Sequence, residues 1–390
     1  MHPFYAVTWF GWLTLTAAFS PYSAVRRFAS NSLVKLDAGR GFGAGGDAKK
    51  KKNSPKGKRL SDALEDKPTK SSAGKGASKN KPFVRSESDD LVEKLKQQVA
   101  STCLGQAVAN SPQAGTPDAD PFWELIPPLI SSRFPNAKDE EFQRVAGFLR
   151  HTLDPSLPLE DDFNEPFRRP EEMHAYMPGL GASQPFYDPS QLDLCRQLTE
   201  NFPTIRAEYD ALIQDMKQGG KDRFQSVTSM NYESGWKTLV LFYNGHRIKD
   251  FPYHLCPTTT RILESVPLAG RIAGFNRQQP QSGIPLHTDG NNMWLTCQMG
   301  VYVPEGEKAY IRVASETKRW KEGECLLYDT TYEHETFNEH EEQERVVLHV
   351  DFFNTLVMTP LEIKVLQYIY QLREEFMKAE GVAKVGAQIL

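Results

Sequence analysis

The chain has 390 residues, 39% of them apolar and 25% charged, an ordinary globular composition with room for one large domain or two small ones. Its net charge of -4 hides an asymmetry: residues 26–81 carry sixteen Lys/Arg against five Asp/Glu, a net +11, residues 1–25 carry no formal charge, and the remainder from Pro82 onward therefore carries -15. The five cysteines (Cys103, Cys195, Cys256, Cys297 and Cys325) are odd in number, widely spread and without a CxxC pair, which argues against a disulfide framework or a thiolate zinc site and for a chain that works reduced.

The N-terminus reads as a targeting segment. Residues 4–18 are mostly apolar, too short for a comfortable membrane span, and end in the small residues Thr16-Ala17-Ala18. An acid-free stretch with Arg26, Arg27, Lys35 and several serines follows, ending at Asp37. Signal-like then transit-like composition predicts a presequence over 1–37. It resembles the bipartite presequences of plastid proteins in algae with secondary plastids; the secretory pathway or ER lumen is the alternative address. No stable membrane span is expected in the mature chain. Residues 38–87 are rich in Gly, Ser, Lys and Ala and form a basic linker, expected to be disordered because it has too little apolar surface to offset its chain entropy. Basic arms can bind nucleic acid, but apart from Phe42 no aromatic residue interleaves with the charges of Lys49–Lys52 and its neighbours, so no nucleic-acid partner is expected.

Residues 88–181 read as a helical extension. Leu91, Leu95 and Val99 recur at helical spacing with Ser88-Asp89-Asp90 supplying a cap, and further helices are predicted over 121–131 and 138–153, the second with Phe142, Val145, Phe148 and Leu149 on one face. The Pro-rich acidic run 154–181 reads as a connecting loop, and no chemical motif lies before 182. The last domain spans 182–390. Asp188-Pro189-Ser190 opens a helical region whose Ile205, Tyr209, Leu212, Ile213 and Met216 share a face. Short β-rich runs follow at 236–243, 271–278, 293–303, 309–314, 324–329 and 344–353, a spacing that predicts a mainly β sandwich or barrel, jelly rolls included, with flanking helices. A final helix over 359–379 is specified by Thr359 as cap, Pro360 at N1 and Glu362 at N3.

Three residues carry chemistry. In His287-Thr288-Asp289, positions i and i+2 of an extended segment point to one side, so both side chains can converge on one ion. His334 lies on a later strand. Two histidines and a carboxylate make a facial triad for Fe(II) with open positions for a cosubstrate and O2, although zinc and manganese suit the same donors. Arg345 follows in Arg345-Val346-Val347-Leu348-His349-Val350-Asp351; a guanidinium inside a barrel must meet an anion, whether a carboxylate of the protein such as Asp351 or Glu335, or a dicarboxylate ligand.

Ile311-Arg312, Trp320-Lys321-Glu322-Gly323, His334-Glu335-Thr336-Phe337-Asn338 and then Arg345 and Asp351 occur in the order and near the spacing of the aspartyl/asparaginyl β-hydroxylase family. Gln184-Pro185-Phe186-Tyr187-Asp188 and Cys256-Pro257-Thr258-Thr259-Thr260-Arg261 add to that resemblance, which covers roughly 183–358. It implies a double-stranded β-helix (jelly roll, cupin-like) with flanking α-helices, using Fe(II), 2-oxoglutarate and O2. It maps the iron histidines onto His287 and His334, the cosubstrate arginine onto Arg345 and its small polar helper onto Asn276. Three departures stand out. Asp289 occupies a position where members usually have Gly, and would supply the carboxylate they lack. Thr296 and Gln298 stand where an Arg and a His face cosubstrate and substrate. Pro280-Gln281-Ser282 replaces a Pro-Gly-Thr.

The resemblance implies a dioxygenase hydroxylating a C–H bond, on an Asp or Asn side chain of a peptide or, alternatively, on a lipid or small molecule; the uncharged Thr296 and Gln298 weaken the case for an acidic peptide. A non-catalytic β-helix binding protein is the reading of another class. No Ser/His/Asp or Cys/His nucleophile set and no phosphate-binding Gly loop is present, and no oligomeric state is specified by the sequence.

Overall fold

The alternating runs assemble into two antiparallel sheets in the computed structural model, which describes residues 87–379 apart from 118, 161–162, 164, 220–221 and 227–234. The presequence over 1–37 and all but the last residue of the linker over 38–87 lie outside the described residues. The strands, in chain order, are β1 (Phe186–Tyr187), β2 (Trp236–Tyr243), β3 (His246–Arg247), β4 (Leu268–Gln278), β5 (Ser282–His287), β6 (Trp294–Tyr302), β7 (Ala309–Val313), β8 (Glu316–Arg319), β9 (Cys325–Tyr328), β10 (His334–Asn338) and β11 (Arg345–Phe353). One sheet has seven strands in the order β1-β9-β6-β11-β4-β2-β3, and the other four in the order β5-β10-β7-β8. From β4 onward the chain passes back and forth between the sheets, only β7 and β8 staying together as a hairpin. That alternation is the double-stranded β-helix, a jelly roll.

Register divides the large sheet into two unlike faces. Thr238, Asn276, Val347 and Gly300 are paired in a row across β2, β4, β11 and β6. One residue along, Leu239, Phe275, Leu348 and Met299 make the next row, and because side chains alternate they point the other way. This second face is covered by α5 (Asp193–Glu200), α6 (Phe202–Gly219) and α7 (Pro257–Glu264), forming a core with Leu198, Ile205, Leu212 and Ile262. On α6 the expected stripe is buried at Ile205, Tyr209, Leu212 and Met216. The buried Glu208 carboxylate accepts from the Thr258 and Thr259 backbone N–H groups at 2.7 and 2.8 Å, satisfying the orphan donors at the start of α7.

A second core joins the N-terminal helices to the last one. The helices α1 (Glu87–Val99), α2 (Cys103–Ala109), α3 (Pro121–Arg133), α4 (Gln143–Leu153) and α8 (Pro360–Ala379) include the run predicted at 121–131. The run predicted at 138–153 divides into a 3-10 turn, Asp139–Phe142, and α4. Ser88, read as a cap, lies inside α1, which begins at Glu87. Phe122, Ile126, Val145 and Leu149 meet Ile363, Leu366 and Ile369 of α8 together with Ala269, Met293 and Phe353 at the sheet's end, so the N-terminal helices share one core with the barrel's flank. The Thr359 box forms as the sequence specifies: Thr359 N–H donates to Glu362 at 2.8 Å and Glu362 N–H to the Thr359 hydroxyl at 3.3 Å. Among the described residues no helix is long and apolar enough to cross a membrane.

The predicted β-rich runs leave out β1, β3, β5, β8 and β10, and of these β5 and β10 carry site residues. Pro285 argues against a central strand, but β5 is the edge of its sheet, where proline costs no ladder bond. β10 reads poorly for another reason: its inward residues His334, Thr336 and Asn338 are buried yet polar.

Candidate functional site

The antiparallel register of β5 and β10 sets His287 directly opposite His334. Their ring centroids lie 4.1 Å apart. Asp289 follows just past the end of β5, its backbone N–H donating to the Thr330 carbonyl at 2.9 Å. One ligand atom from each of His287, Asp289 and His334 lies within 4.8 Å of the other two. Each histidine turns Nδ1 to a carbonyl two residues upstream, Pro285 at 2.7 Å and Tyr332 at 2.9 Å. A carbonyl can only accept, so Nδ1 carries the proton and the Nε2 lone pair is left for a ligand. Burial, and then the neighbouring His287, push the His334 imidazolium down to about 3, so the ring is a neutral donor. Burial works against ionisation of Asp289, but Arg271, His334 and His287 outweigh it and hold its carboxyl well below the usual range. Two imidazoles and a carboxylate fit a divalent first-row ion such as Fe(II).

Arg271 escapes sequence reading. It lies two residues before Ala273 and four before Phe275, so strict alternation assigns it to the apolar face. The β4–β11 register shifts between Val350 and Phe352, and the β4–β2 register shifts between Val240 and Phe242. Such an irregularity re-aims side chains. Arg271 instead donates to Asp289 and lies 3.6 Å from Asp351. Asp351 accepts from the Thr296 hydroxyl at 2.6 Å and sits 3.0 Å from His349 Nε2, while His349 Nδ1 is 2.9 Å from Gln298 Nε2. Thr296 and Gln298 are thus part of an internal network rather than free arms. The sequence offered Asp351 as a partner of Arg345; the structure pairs it with His349 and Arg271 instead.

Arg345 is fully buried, its guanidinium stacked between Trp236 at 4.5 Å and Trp320 at 4.2 Å. None of its three nitrogens has a hydrogen-bond partner among the described residues, and the alternative partner considered from sequence, Glu335, pairs with Arg312 at 2.8 Å. On the same inward face, both polar side-chain atoms of Asn276 and the Thr238 hydroxyl are buried without hydrogen-bond partners among the described residues. Burial pushes the Arg345 pKa down to about 9, which leaves it a cation at neutral pH. Six polar atoms on one inward face (three of Arg345, two of Asn276 and one of Thr238), led by a guanidinium without a hydrogen bond, fit an anion with a carboxylate end.

A strap from the N-terminal part, residues 167–177, holds both ligand-bearing loops. Glu333 N–H donates to the Phe167 carbonyl at 2.7 Å, and Arg169 Nε meets Glu333 at 2.7 Å, next to His334. Arg169 Nη1 also binds Glu172 at 2.9 Å, and Glu172 accepts from the Thr288 hydroxyl at 2.6 Å, between His287 and Asp289. The Gly290 carbonyl accepts from His174 and Ala175 N–H at 3.0 and 3.1 Å. Gly290 has a φ of 59°, and a Cβ there would stand 2.3 Å from the Glu172 carbonyl, so only glycine fits beneath the strap. The Pro-rich 154–181 run gave no sign of this, because each contact is long-range.

Residues 199–355 match the family model described as aspartyl/asparaginyl beta-hydroxylase. An ornithine lipid ester-linked acyl 2-hydroxylase of Rhizobium tropici is 30% identical over 177 residues, 44% of this chain and 61% of that protein. The human aspartyl/asparaginyl beta-hydroxylase is 29% identical over 170 residues, 41% of this chain and 21% of that protein. The human aspartate beta-hydroxylase domain-containing protein 2 is 26% identical over 211 residues, 50% of this chain and 53% of that protein. The chain thus spans less than two thirds of the length of each of these relatives.

Proposed function

We propose that this chain, which belongs through residues 199–355 to the aspartyl/asparaginyl β-hydroxylase family, is a hydroxylase that uses Fe(II) and 2-oxoglutarate. The observation that carries the cosubstrate assignment is Arg345, a buried guanidinium with no hydrogen-bond partner among the described residues. His287 and His334 would hold the ion through Nε2, with Asp289 as a third donor when it leaves Arg271. When bound, the iron supplies oxidation of an unactivated C–H bond by O2, with 2-oxoglutarate converted to succinate and CO2. The chain's own residues bind and orient: Arg345 fixes one carboxylate of the dicarboxylate, Asn276 and Thr238 complete its hydrogen bonds, and Trp236 and Trp320 keep the guanidinium planar, dry and in place.

The substrate we favour is a lipid or small molecule rather than an acidic peptide. Thr296 and Gln298 are uncharged and already engaged with Asp351 and His349, so neither position offers a cation to an acidic side chain. The 30% identical relative is named as a lipid hydroxylase, which supports the same direction. The test is succinate release from 2-oxoglutarate by the full chain, purified without oxygen and supplied with Fe(II), ascorbate and O2. Succinate that requires iron and is lost in Arg345→Ala is the expected result. Uptake of iron and 2-oxoglutarate without succinate would favour a β-helix binding protein, and absence of iron uptake would overturn the assignment.

A further inference from the structure

The outward face of the large sheet holds a second three-donor set. Cys195 on α5, Cys297 on β6 and Cys325 on β9 come together with one sulfur each, all three within 4.8 Å of one another. Cys195 and Cys297 are 3.6 Å apart, and all three residues are buried, with 2%, 0% and 7% of their surface exposed. They are 102 and 28 residues apart in sequence, which is why spacing did not reveal them. The two remaining cysteines, Cys103 and Cys256, stand elsewhere: Cys103 by Asp139, Cys256 by Thr260.

We propose that Cys195, Cys297 and Cys325 form a three-thiol binding site for a soft, three-coordinate centre, with trivalent arsenic the class that fits best. Geometry supports a trigonal site. Three sulfurs about 2.3 Å from a common centre lie about 3.5 to 4 Å from one another, so the observed sulfur triangle, with every separation within 4.8 Å, closes with small side-chain movements. All three donors are sulfur, which selects soft centres over magnesium, calcium or manganese. Charge then selects among soft centres. The set lies inside an apolar core with Leu198, Leu295, Met299 and Leu327, where a net charge is expensive. Three thiolates leave a monovalent ion at -2 and a divalent ion at -1, but cancel a trivalent one. Arsenous acid also enters as a neutral molecule: three S–H bonds and three As–OH bonds break, three As–S bonds form, and three waters leave, with no change of oxidation state. Access requires a local opening of α5 from the sheet, so uptake is slow and release slower.

The site is separate from the histidine pair. Cys297 sits between Thr296 and Gln298 on β6 but points to the opposite face. The experiment incubates the reduced full chain with arsenite and weighs it by native mass spectrometry. The expected product is one adduct per chain whose mass equals one arsenic less three hydrogens, surviving gel filtration. A two-thiol adduct would keep one hydroxyl and weigh one water more. Cys297→Ala should lower arsenite affinity at least tenfold. Cys103→Ala with Cys256→Ala, and His287→Ala with His334→Ala, should leave the adduct unchanged. If Cys297→Ala does not fold, the wild-type mass alone decides. No adduct on the folded chain, a two-thiol mass, or an adduct that persists without Cys297 would each overturn the proposal.

Discussion

On β11, Val346, Leu348, Val350 and Phe352 face the covering helices, while Arg345, His349 and Asp351 face the other sheet. The same nine residues therefore serve two regions with opposite chemistry. Outward, the side chains are apolar and the one buried carboxylate nearby, Glu208, has its partners. Inward, Thr238, Asn276, Gln298 and Arg345 all carry buried polar atoms with no hydrogen-bond partner among the described residues. Each such atom costs about 1–3 kcal/mol. A fold keeps such groups where something outside the chain completes them, so the outward face holds the protein together and the inward face waits for ligands.

The largest effect should come from the outward face. Phe275 is fully buried there, its ring 4.9 Å from Tyr209 on α6. Phe275→Ala should cost about 3–5 kcal/mol of stability, read as a fall in the urea midpoint, because the hole left between sheet and helix cannot collapse. A loss below about 1 kcal/mol would mean that the outward face is not where stability resides. Arg345→Met makes the opposite test. It should weaken 2-oxoglutarate binding by about 100-fold or more, roughly 2.7 kcal/mol, measured by calorimetry with the metal present. Its unliganded stability should stay equal or rise, since the change removes a buried charge without a partner and keeps its volume between Trp236 and Trp320. A variant that loses several kcal/mol of stability instead would show that Arg345 is structural.

This asymmetry also explains what the sequence revealed. β6 reads clearly because its outward residues Leu295, Cys297, Met299 and Val301 keep strict apolar alternation, and β2, an apolar run from Leu239 to Tyr243, forms over the predicted 236–243 to the residue. The capping box at Thr359 is local, and it forms as written. The two histidines stood out by residue type, and so did Arg345. Where a long-range event decides, the sequence was silent. Arg271 reaches Asp289 only because the β4 register shifts; β5 was hidden by Pro285 until its edge position was known; the three sulfurs meet through tertiary packing alone. The strap over 167–177 had no periodicity to read, since its contacts lie more than one hundred residues away in sequence.

The strap offers a smaller test on the inward side. Glu172 touches the hydroxyl of Thr288, between two proposed metal donors, and is locked by Arg169. Glu172→Gln keeps the shape and weakens the ion pair. Iron affinity should fall about tenfold while the urea midpoint barely moves, because groups behind metal ligands typically act at that scale. Unchanged iron binding would show that the strap covers the loops without positioning the ligands.

Glu362 sharpens the comparison from outside the barrel. It is as buried and as charged as Arg345, with 3% of its surface exposed, but its partners are complete. Arg144 Nε donates to it at 2.6 Å and Nη2 at 2.5 Å, and the Thr359 N–H donates at 2.8 Å. Removing a buried charge that has no partner should cost nothing, whereas removing this one should cost about 1–2 kcal/mol, through the lost cap and the Arg144 guanidinium left short of an acceptor. The pH dependence gives the sign. Burial works to raise the Glu362 pKa, but hydrogen bonds and charge from Arg144 and the bond from Thr359 outweigh it, so the folded value lies below the ordinary one. A depressed carboxyl pKa contributes stability above the unfolded value of about 4.3 and loses it as pH falls through the folded one. The gap between the parent and Glu362→Gln should therefore be full at neutral pH and shrink on acidification below about 4.3, as followed by urea titrations at a series of pH values. A gap that stayed constant into that acidic range would mean that the carboxylate's charge contributes nothing, and that the difference between the two buried charges does not lie in their pairing.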